Sequence, residues 1–265
     1  MNRRWANVDR IELPEGLADS GPVVVGATGG SGTRVLARLL KDGGVFIGSN
    51  LNPYEDVLAF GLFSDRWIND VESMDGQVSA ATCDTMCEEL RTIVGSEYRA
   101  FPNGAEQWGW KEPRSIYLLP FFDAAMPSLR FVHFVRDGRD MAFSENQNQL
   151  VKHGPAILGA DQATLRKPAQ SIAVWSAINS RAADYGETSM GDRYLRIRFE
   201  DLCSDPAETA RRAYRFLGLQ GDPGDAARAE VAPPKTLGRW RDEKPATIRE
   251  LEEIAGPALS RFGYL

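Results

Sequence analysis

Hydrophobic and polar positions follow two periods along this chain, and the alternation between them lays out most of its elements. After Pro22, Val23, Val24 and Val25 form an uninterrupted apolar run that predicts a short buried strand. From Thr33 to Asp42, Leu36, Leu39 and Leu40 share one helical face while Arg34, Arg38 and Lys41 take the other. Residues 129–135 are a second apolar run, closed by Arg136-Asp137-Gly138-Arg139-Asp140 and a helix predicted from Asp140, so the strand, turn and helix plan occurs twice. Asn52-Pro53-Tyr54-Glu55 reads as an N-cap, a proline at the first helical position and a capping-box glutamate, opening a helix toward Trp67.

Residues 84–98 predict a helix with Met86, Leu90, Ile93 and Val94 inward. Pro168 starts a long helix whose stripe is Ile172, Trp175, Ile178, Ala182 and Tyr185, and residues 194–199 alternate as a strand. Asp205-Pro206-Ala207-Glu208 is a capping box for a helix closed by Gly218. The tail carries Ile248, Leu251 and Ile254 and is expected to break at Gly256-Pro257. Strands alternating with helices predict an α/β fold, three layers with a central parallel sheet covered on both faces. With no repeat and no long linker, the 265 residues are expected to form one domain, an N-terminal extension over 1–21 and a core over 22–265.

Composition narrows the function. At 43% hydrophobic and 26% charged residues, wholesale disorder and fibrous classes are excluded. A formal charge of -6 disfavours nucleic acid as a partner, so any anion site must be local. No apolar run reaches the roughly 18 residues of a membrane span, and two early arginines without an apolar stretch before Asp9, Glu12 and Glu15 do not read as a secretion signal, so a cytoplasmic protein is expected. Cys83, Cys87 and Cys203 are odd in number, and Cys83-x3-Cys87 lacks a second half-site, which leaves buried or idle thiols and no metal.

Two segments carry chemistry. Gly26-Ala27-Thr28-Gly29-Gly30-Ser31-Gly32-Thr33-Arg34 lies between a strand and a helix, and its glycines let N–H groups and the helix N-terminus converge on a phosphate or sulfate; without a ligand it is a tight turn. Ser31 and Thr33 add hydroxyls, Arg34 a charge. No lysine precedes Thr33 as in a Walker A loop, and the Rossmann glycine spacing is not met. Arg136 follows a strand end, where open α/β sheets place ligands, and Ser144 stands eight residues on in the next helix; the two can clamp one phosphate, or Arg136 is a surface ion-pair residue.

Together these segments resemble the sulfotransferases that use 3′-phosphoadenosine 5′-phosphosulfate (PAPS). Ser31-Gly32-Thr33 matches their 5′-phosphosulfate loop, and Arg136 with Ser144 their 3′-phosphate site. Trp110-Lys111-Glu112-Pro113, Phe199-Glu200-Asp201-Leu202, Phe216-Leu217-Gly218-Leu219 and Gly238-Arg239-Trp240-Arg241 follow in the family's order, so the likeness runs from about Val23 to Tyr264.

The resemblance implies a nucleoside-triphosphatase-like sulfotransferase fold. It also implies in-line transfer of a sulfuryl group from PAPS to a hydroxyl, less readily an amine, leaving adenosine 3′,5′-bisphosphate without a catalytic metal. Donor-binding residues would be Gly29, Gly30, Ser31, Gly32, Thr33, Arg34, Arg136, Ser144, Arg239 and Trp240, with the basic tail at Lys235, Arg239 and Arg241 closing over the 3′-phosphate. Lys111 would stabilise the transition state, its alternative being a solvated lysine beside Glu112. Three departures stand out: Gly30 replaces a frequent Lys or Arg, Pro113 stands where one branch has its basic His, and Phe199 replaces a Tyr. In other branches a carboxylate about twenty residues past the loop serves as base, which points to Asp56, with Glu55 spent on the capping box; otherwise Asp56 is a first-turn acid. His133 reads as a core residue, Trp175 likewise, and His153 as a weaker base in a loop over 152–167 that covers the acceptor with residues 60–80. The acceptor is expected to be a small molecule or lipid-like. A kinase with a degenerate loop using ATP and Mg²⁺, and a catalytically dead nucleotide-binding module, are the competing readings.

Overall fold

The computed structural model describes residues 3–17, 21–74, 76–99, 101, 107–159 and 164–265. Five parallel strands form one sheet in the order β2-β3-β1-β4-β5: β1 (Val23–Gly26), β2 (Val45–Ile47), β3 (Gln107–Lys111), β4 (Arg130–Val135) and β5 (Tyr194–Arg198). The central β1 is buried along its whole length, as its valine run requires of a strand covered on both faces. Helices α1 (Thr33–Asp42), α2 (Leu58–Ser73), α3 (Ala80–Glu97), α4 (Leu119–Ala125), α5 (Gly138–Ala142), α6 (Asn148–Leu158), α7 (Lys167–Tyr185), α8 (Phe199–Ser204), α9 (Pro206–Leu217), α10 (Gly224–Glu230) and α11 (Pro245–Arg261) flank it. The α/β class and the parallel sheet agree with the sequence pattern.

One hydrophobic cluster is built on β1, β3, β4 and the helices around them, and it includes Trp5, Ile11 and Leu17 from the N-terminal segment. A second joins Val135, α5, α7 and α11 through Trp175, Leu251 and Phe262. Trp175 is a core residue, and its indole N–H donates to the Arg136 carbonyl at 2.9 Å, which fixes the strand end that carries that arginine.

At Asp205 the N-cap half of the capping box forms: its carboxylate accepts from the Glu208 N–H at 3.1 Å while the Glu208 carboxylate pairs with Arg215 at 2.7 Å, and Gly218 closes α9 in the left-handed region. The one at Asn52 does not. Leu51 and Val57 pair as an antiparallel bridge, residues 52–56 close into a turn, and α2 starts only at Leu58. Nor does the C-terminal helix break at Gly256-Pro257. Pro257 stands on the exposed side of α11, where water can satisfy the carbonyl it frees, while Leu251, Ala255, Ala258 and Leu259 continue the buried stripe past it. Of the segments expected as loops, 60–73 belong to α2 and 152–158 to α6; Gly154 and Pro155 sit inside α6, with Gly154 packed close to Leu150 and Val174, and 75 and 160–163 lie outside the described residues. No helix among the described residues is long and apolar enough to cross a membrane.

Candidate active site

Strand order reverses at β1, which lies between β3 and β4, and the carboxyl ends of these three strands meet there. The glycine loop leaves β1. The β1–β3 register sets Lys111 beside Val25, one residue before the strand's end, and Arg136 follows β4 directly. A cavity of about 510 Å³ opens at this edge, lined by residues 29–34 together with Asn52, Tyr54, Asp56 and Lys111.

The loop is shaped for an anion. Gly30 and Gly32 adopt φ of 82° and 83°, and α1 begins after Gly32 without a side-chain cap, leaving its first N–H groups free to donate. A Cβ on Gly32 would come within 2.6 Å of the Phe199 ring, so that ring sets the height of the loop. Ser31 Oγ donates to the Thr28 carbonyl and closes the turn. Arg34, exposed in the first turn of α1, lines the cavity.

Lys111 is 1% exposed, and its ammonium donates to Asp56 Oδ1 and, at 2.5 Å, to the Tyr54 carbonyl. Burial pulls the lysine below its ordinary value, opposed by the Asp56 carboxylate beside it. The turn that carries Asp56 is held by Asn52, whose Oδ1 accepts from the N–H groups of Tyr54 at 2.8 Å and Asp56 at 3.0 Å and whose Nδ2 donates to Asp56 Oδ2 at 2.9 Å. Glu55 adopts φ of 65° and turns its carboxylate out to Lys41 at 2.9 Å and Arg38 at 3.7 Å. The expectation that Glu55 caps a helix is therefore corrected: α1 takes it up through tertiary ion pairs, leaving Asp56 to face the cavity.

The second cluster adjoins the first through Gly30. Arg136, 4% exposed, donates to Asp140 Oδ2 at 3.0 Å, to the Thr236 carbonyl at 2.7 Å and to the Gly30 carbonyl at 3.5 Å, and its guanidinium lies 4.8 Å from the Phe199 ring centroid. Its Nε is buried without a hydrogen-bond partner. Arg239 donates to the carbonyls of Phe143 and Thr236 at 3.1 and 3.2 Å; burial, and then the Arg136 charge beside it, draw Arg239 below its ordinary value. The two guanidiniums share the Thr236 carbonyl, and the unpartnered Arg136 Nε leaves a cationic donor available there.

Ser144 was expected within a helix, but α5 ends at Ala142 and Ser144 stands in the loop beyond it. Its Oγ lies 3.3 Å from where a Gly30 Cβ would stand, so it reaches the same corner. Arg136, Ser144, Arg239 and Trp240 do not line the large cavity. Trp240 stacks on the Arg139 guanidinium at 3.8 Å, with the Arg241 guanidinium 4.6 Å from the same ring, contacts that anchor the tail. Phe199, expected on a strand, begins α8.

His133 is fully buried, accepting from the Tyr194 hydroxyl at 2.6 Å and donating to Asn179 Oδ1 at 2.8 Å, with burial pushing it down to about 4; it is structural. His153 is equally buried, on α6 between Asn69 and Asp65 at 2.9 and 3.3 Å, and does not line the cavity. Cys83, Cys87 and Cys203 are free thiols, and among the described residues no group of three or more metal-ligating side chains occurs.

Sequence reasoning missed the network on the opposite wall. Arg114 bridges Glu112 at 2.7 Å and Asp65, and Asp65 also pairs with Lys152. Burial disfavours the Arg114 charge, but hydrogen bonds and charge from Glu112 and Asp65 outweigh it and hold Arg114 above its ordinary value. The Glu112 carboxyl is raised by burial against the opposing Arg114. The only local sign is the Glu-x-Arg spacing, since Asp65 and Lys152 come from α2 and α6.

A family model described as the sulfotransferase family matches residues 22–223. The chain is similar to carbohydrate sulfotransferase 5 of Mus musculus, 29% identical over 177 residues that cover 56% of this chain and 44% of that protein. It is similar also to carbohydrate sulfotransferase 6 of Homo sapiens, 29% identical over 220 residues, 70% of this chain and 54% of that one. The chain thus spans about half the length of the curated relatives it matches. Among solved structures, a sulfotransferase from Mycobacterium tuberculosis H37Rv shares the fold at a TM-score of 0.54 and 15% identity, covering 89% of this chain and 76% of that one.

Proposed function

The chain belongs to the sulfotransferase family, and from that premise we propose that it moves a sulfuryl group from PAPS to a hydroxyl of a small-molecule acceptor, releasing adenosine 3′,5′-bisphosphate. The observation that carries this reading is the Lys111–Asp56 pair in the same cavity as the uncapped glycine loop. The residues fit the donor. The loop N–H groups, Ser31 and Thr33 suit its 5′-phosphosulfate, and the orphaned Arg136 Nε with Arg239 and Ser144 suits a 3′-phosphate. Bound there, PAPS supplies the activated sulfuryl group.

The protein's own groups position the reactants and compensate charge. Asp56 accepts the proton of the acceptor hydroxyl as the new S–O bond forms and the old one to the bridging oxygen breaks. The Lys111 ammonium, released from that carboxylate as it is protonated, donates to the oxygens that gain charge. Arg34 supplies a cation on the loop side in place of the one missing at Gly30. The amide side chains of Asn52, Asn146, Asn148 and Gln149 around the cavity favour a hydroxyl acceptor, as do the relatives named carbohydrate sulfotransferases.

Calorimetric titration with adenosine 3′,5′-bisphosphate, comparing wild type with Arg136→Ala and running ATP with Mg²⁺ alongside, tests the reading. Micromolar binding lost in the variant supports it. No binding, or preference for ATP, refutes it and favours a kinase.

A further inference from the structure

Among the described residues five large apolar side chains are exposed: Tyr54, which lines the cavity, Leu58 and Leu62 on α2 and Val151 on α6, at 64, 42, 71 and 70%, and Leu265 at the C-terminus. Singly exposed apolar residues are ordinary, but their concentration at a cavity rim is not. Four of them sit on or beside the elements that build the cavity. Tyr54 lines the cavity and gives its carbonyl to Lys111. The Val57 N–H donates to the Lys111 carbonyl at 3.1 Å, so α2 starts against the catalytic strand end with Leu58 next in line. Leu62 lies one turn on, over the same face, and Asp65 less than a turn further pairs with the cavity-lining Arg114 and Lys152. Val151 stands beside Lys152 on α6, which packs on α2.

We infer that the acceptor is an amphiphile: its hydroxyl-bearing head enters the cavity to reach Asp56, and an alkyl or aryl tail lies outward across Leu58, Leu62 and Val151. The inference rests on the proposed sulfuryl transfer to a hydroxyl and narrows its substrate class. The polar interior satisfies the head, and the apolar rim gains only if something apolar covers it. The reaction is the one given above: the acceptor O–S bond forms, the S–O bond to the bisphosphate breaks, and the hydroxyl proton passes to Asp56.

The test titrates n-butanol, n-hexanol, n-octanol and n-decanol into protein saturated with adenosine 3′,5′-bisphosphate, following the leucine and valine methyl resonances. Expected is roughly a twofold gain in affinity per methylene, about half of what full burial gives, with shifts centred on Leu58, Leu62 and Val151. The double variant Leu62→Ser, Val151→Ser should flatten the dependence on chain length. Affinity independent of chain length, or shifts elsewhere, with bisphosphate binding intact, overturns the amphiphile and leaves the sulfuryl transfer standing. Failure of the bisphosphate to bind refutes the transfer reading and the inference with it.

Discussion

The Lys111 ammonium and the Asp56 carboxylate meet across the cavity, and the backbone maintains the pair, since the Val57 N–H donates to the Lys111 carbonyl at 3.1 Å. Each residue is accordingly placed by the other's element. Asp56→Asn retains the shape but cannot take a proton, and its single carbonyl oxygen cannot accept from both Asn52 and Lys111, so kcat should fall about 10²- to 10⁴-fold. Lys111→Arg should not rescue Lys111→Ala, because the compact ammonium held between Asp56 Oδ1 and the Tyr54 carbonyl is not reproduced by a longer planar guanidinium. Steady-state kinetics with circular dichroism as the folding control check both; near-wild-type turnover in folded Asp56→Asn removes it from the role of base.

Restoring the cation that the family often carries before Ser31 should harm this protein. Gly30 stands at φ 82°, and a Cβ there would come within 3.3 Å of Ser144 Oγ and 3.4 Å of Met141 Cε. Gly30→Lys should cost about 1–2 kcal/mol from the left-handed backbone alone and weaken bisphosphate binding by displacing Ser144. Denaturant unfolding and calorimetry read the two effects, and a variant as stable as wild type with tighter binding contradicts the argument. Arg34→Ala, by contrast, should lower kcat with little change in unfolding free energy, because its side chain is exposed.

Acid sensitivity should arise in the core, away from the cavity. His133 titrates near 6.5 when unfolded and is pushed down to about 4 by burial. Below pH 6.5 the unfolded chain takes up a proton that the folded chain refuses until about pH 4. Stability contributed by the neutral histidine is therefore complete above pH 6.5 and lost as pH falls through that window, at up to about 1.4 kcal/mol per pH unit. Chemical denaturation across this window should show a shallower slope in His133→Gln than in wild type; equal slopes would exclude His133 as the source.

What could be read from the sequence is what short-range patterns encode. The glycine loop after the Val23–Val25 run and Arg136 after a second apolar run are both strand-to-turn signals, and both came out in place. The two capping boxes show where that reading stops. At Asp205 the carboxylate still caps the Glu208 N–H, although Glu208 itself turns to Arg215 at 2.7 Å. At Asn52 the same spelling fails because Lys41 and Arg38 of α1 take Glu55 and the Leu51–Val57 bridge closes the turn first. The Asp65–Arg114–Lys152 wall joins three distant segments and has no local signature. Gly154-Pro155 reads as a loop, yet α6 forms because packing on α7 outweighs helix propensity.

Asp140 is the joint between Arg136 and the C-terminal segment. Its carboxylate accepts from Arg136 at 3.0 Å, from the Gly238 N–H at 2.8 Å and from the Trp240 N–H at 3.4 Å, while almost wholly buried. It therefore holds the Arg239 turn over Arg136 and balances the arginine charge when no anion is bound. Asp140→Asn should destabilise the protein by about 3–5 kcal/mol, the usual cost of leaving one partner of a buried pair uncompensated. Adenosine 3′,5′-bisphosphate should then restore more stability to the variant than it adds to wild type, because its phosphate replaces the lost carboxylate charge. Melting temperatures with and without the bisphosphate decide the matter. A larger ligand-induced rise in the variant assigns Asp140 to charge balance, whereas a variant that no longer responds to the ligand shows that Asp140 is needed to orient Arg136.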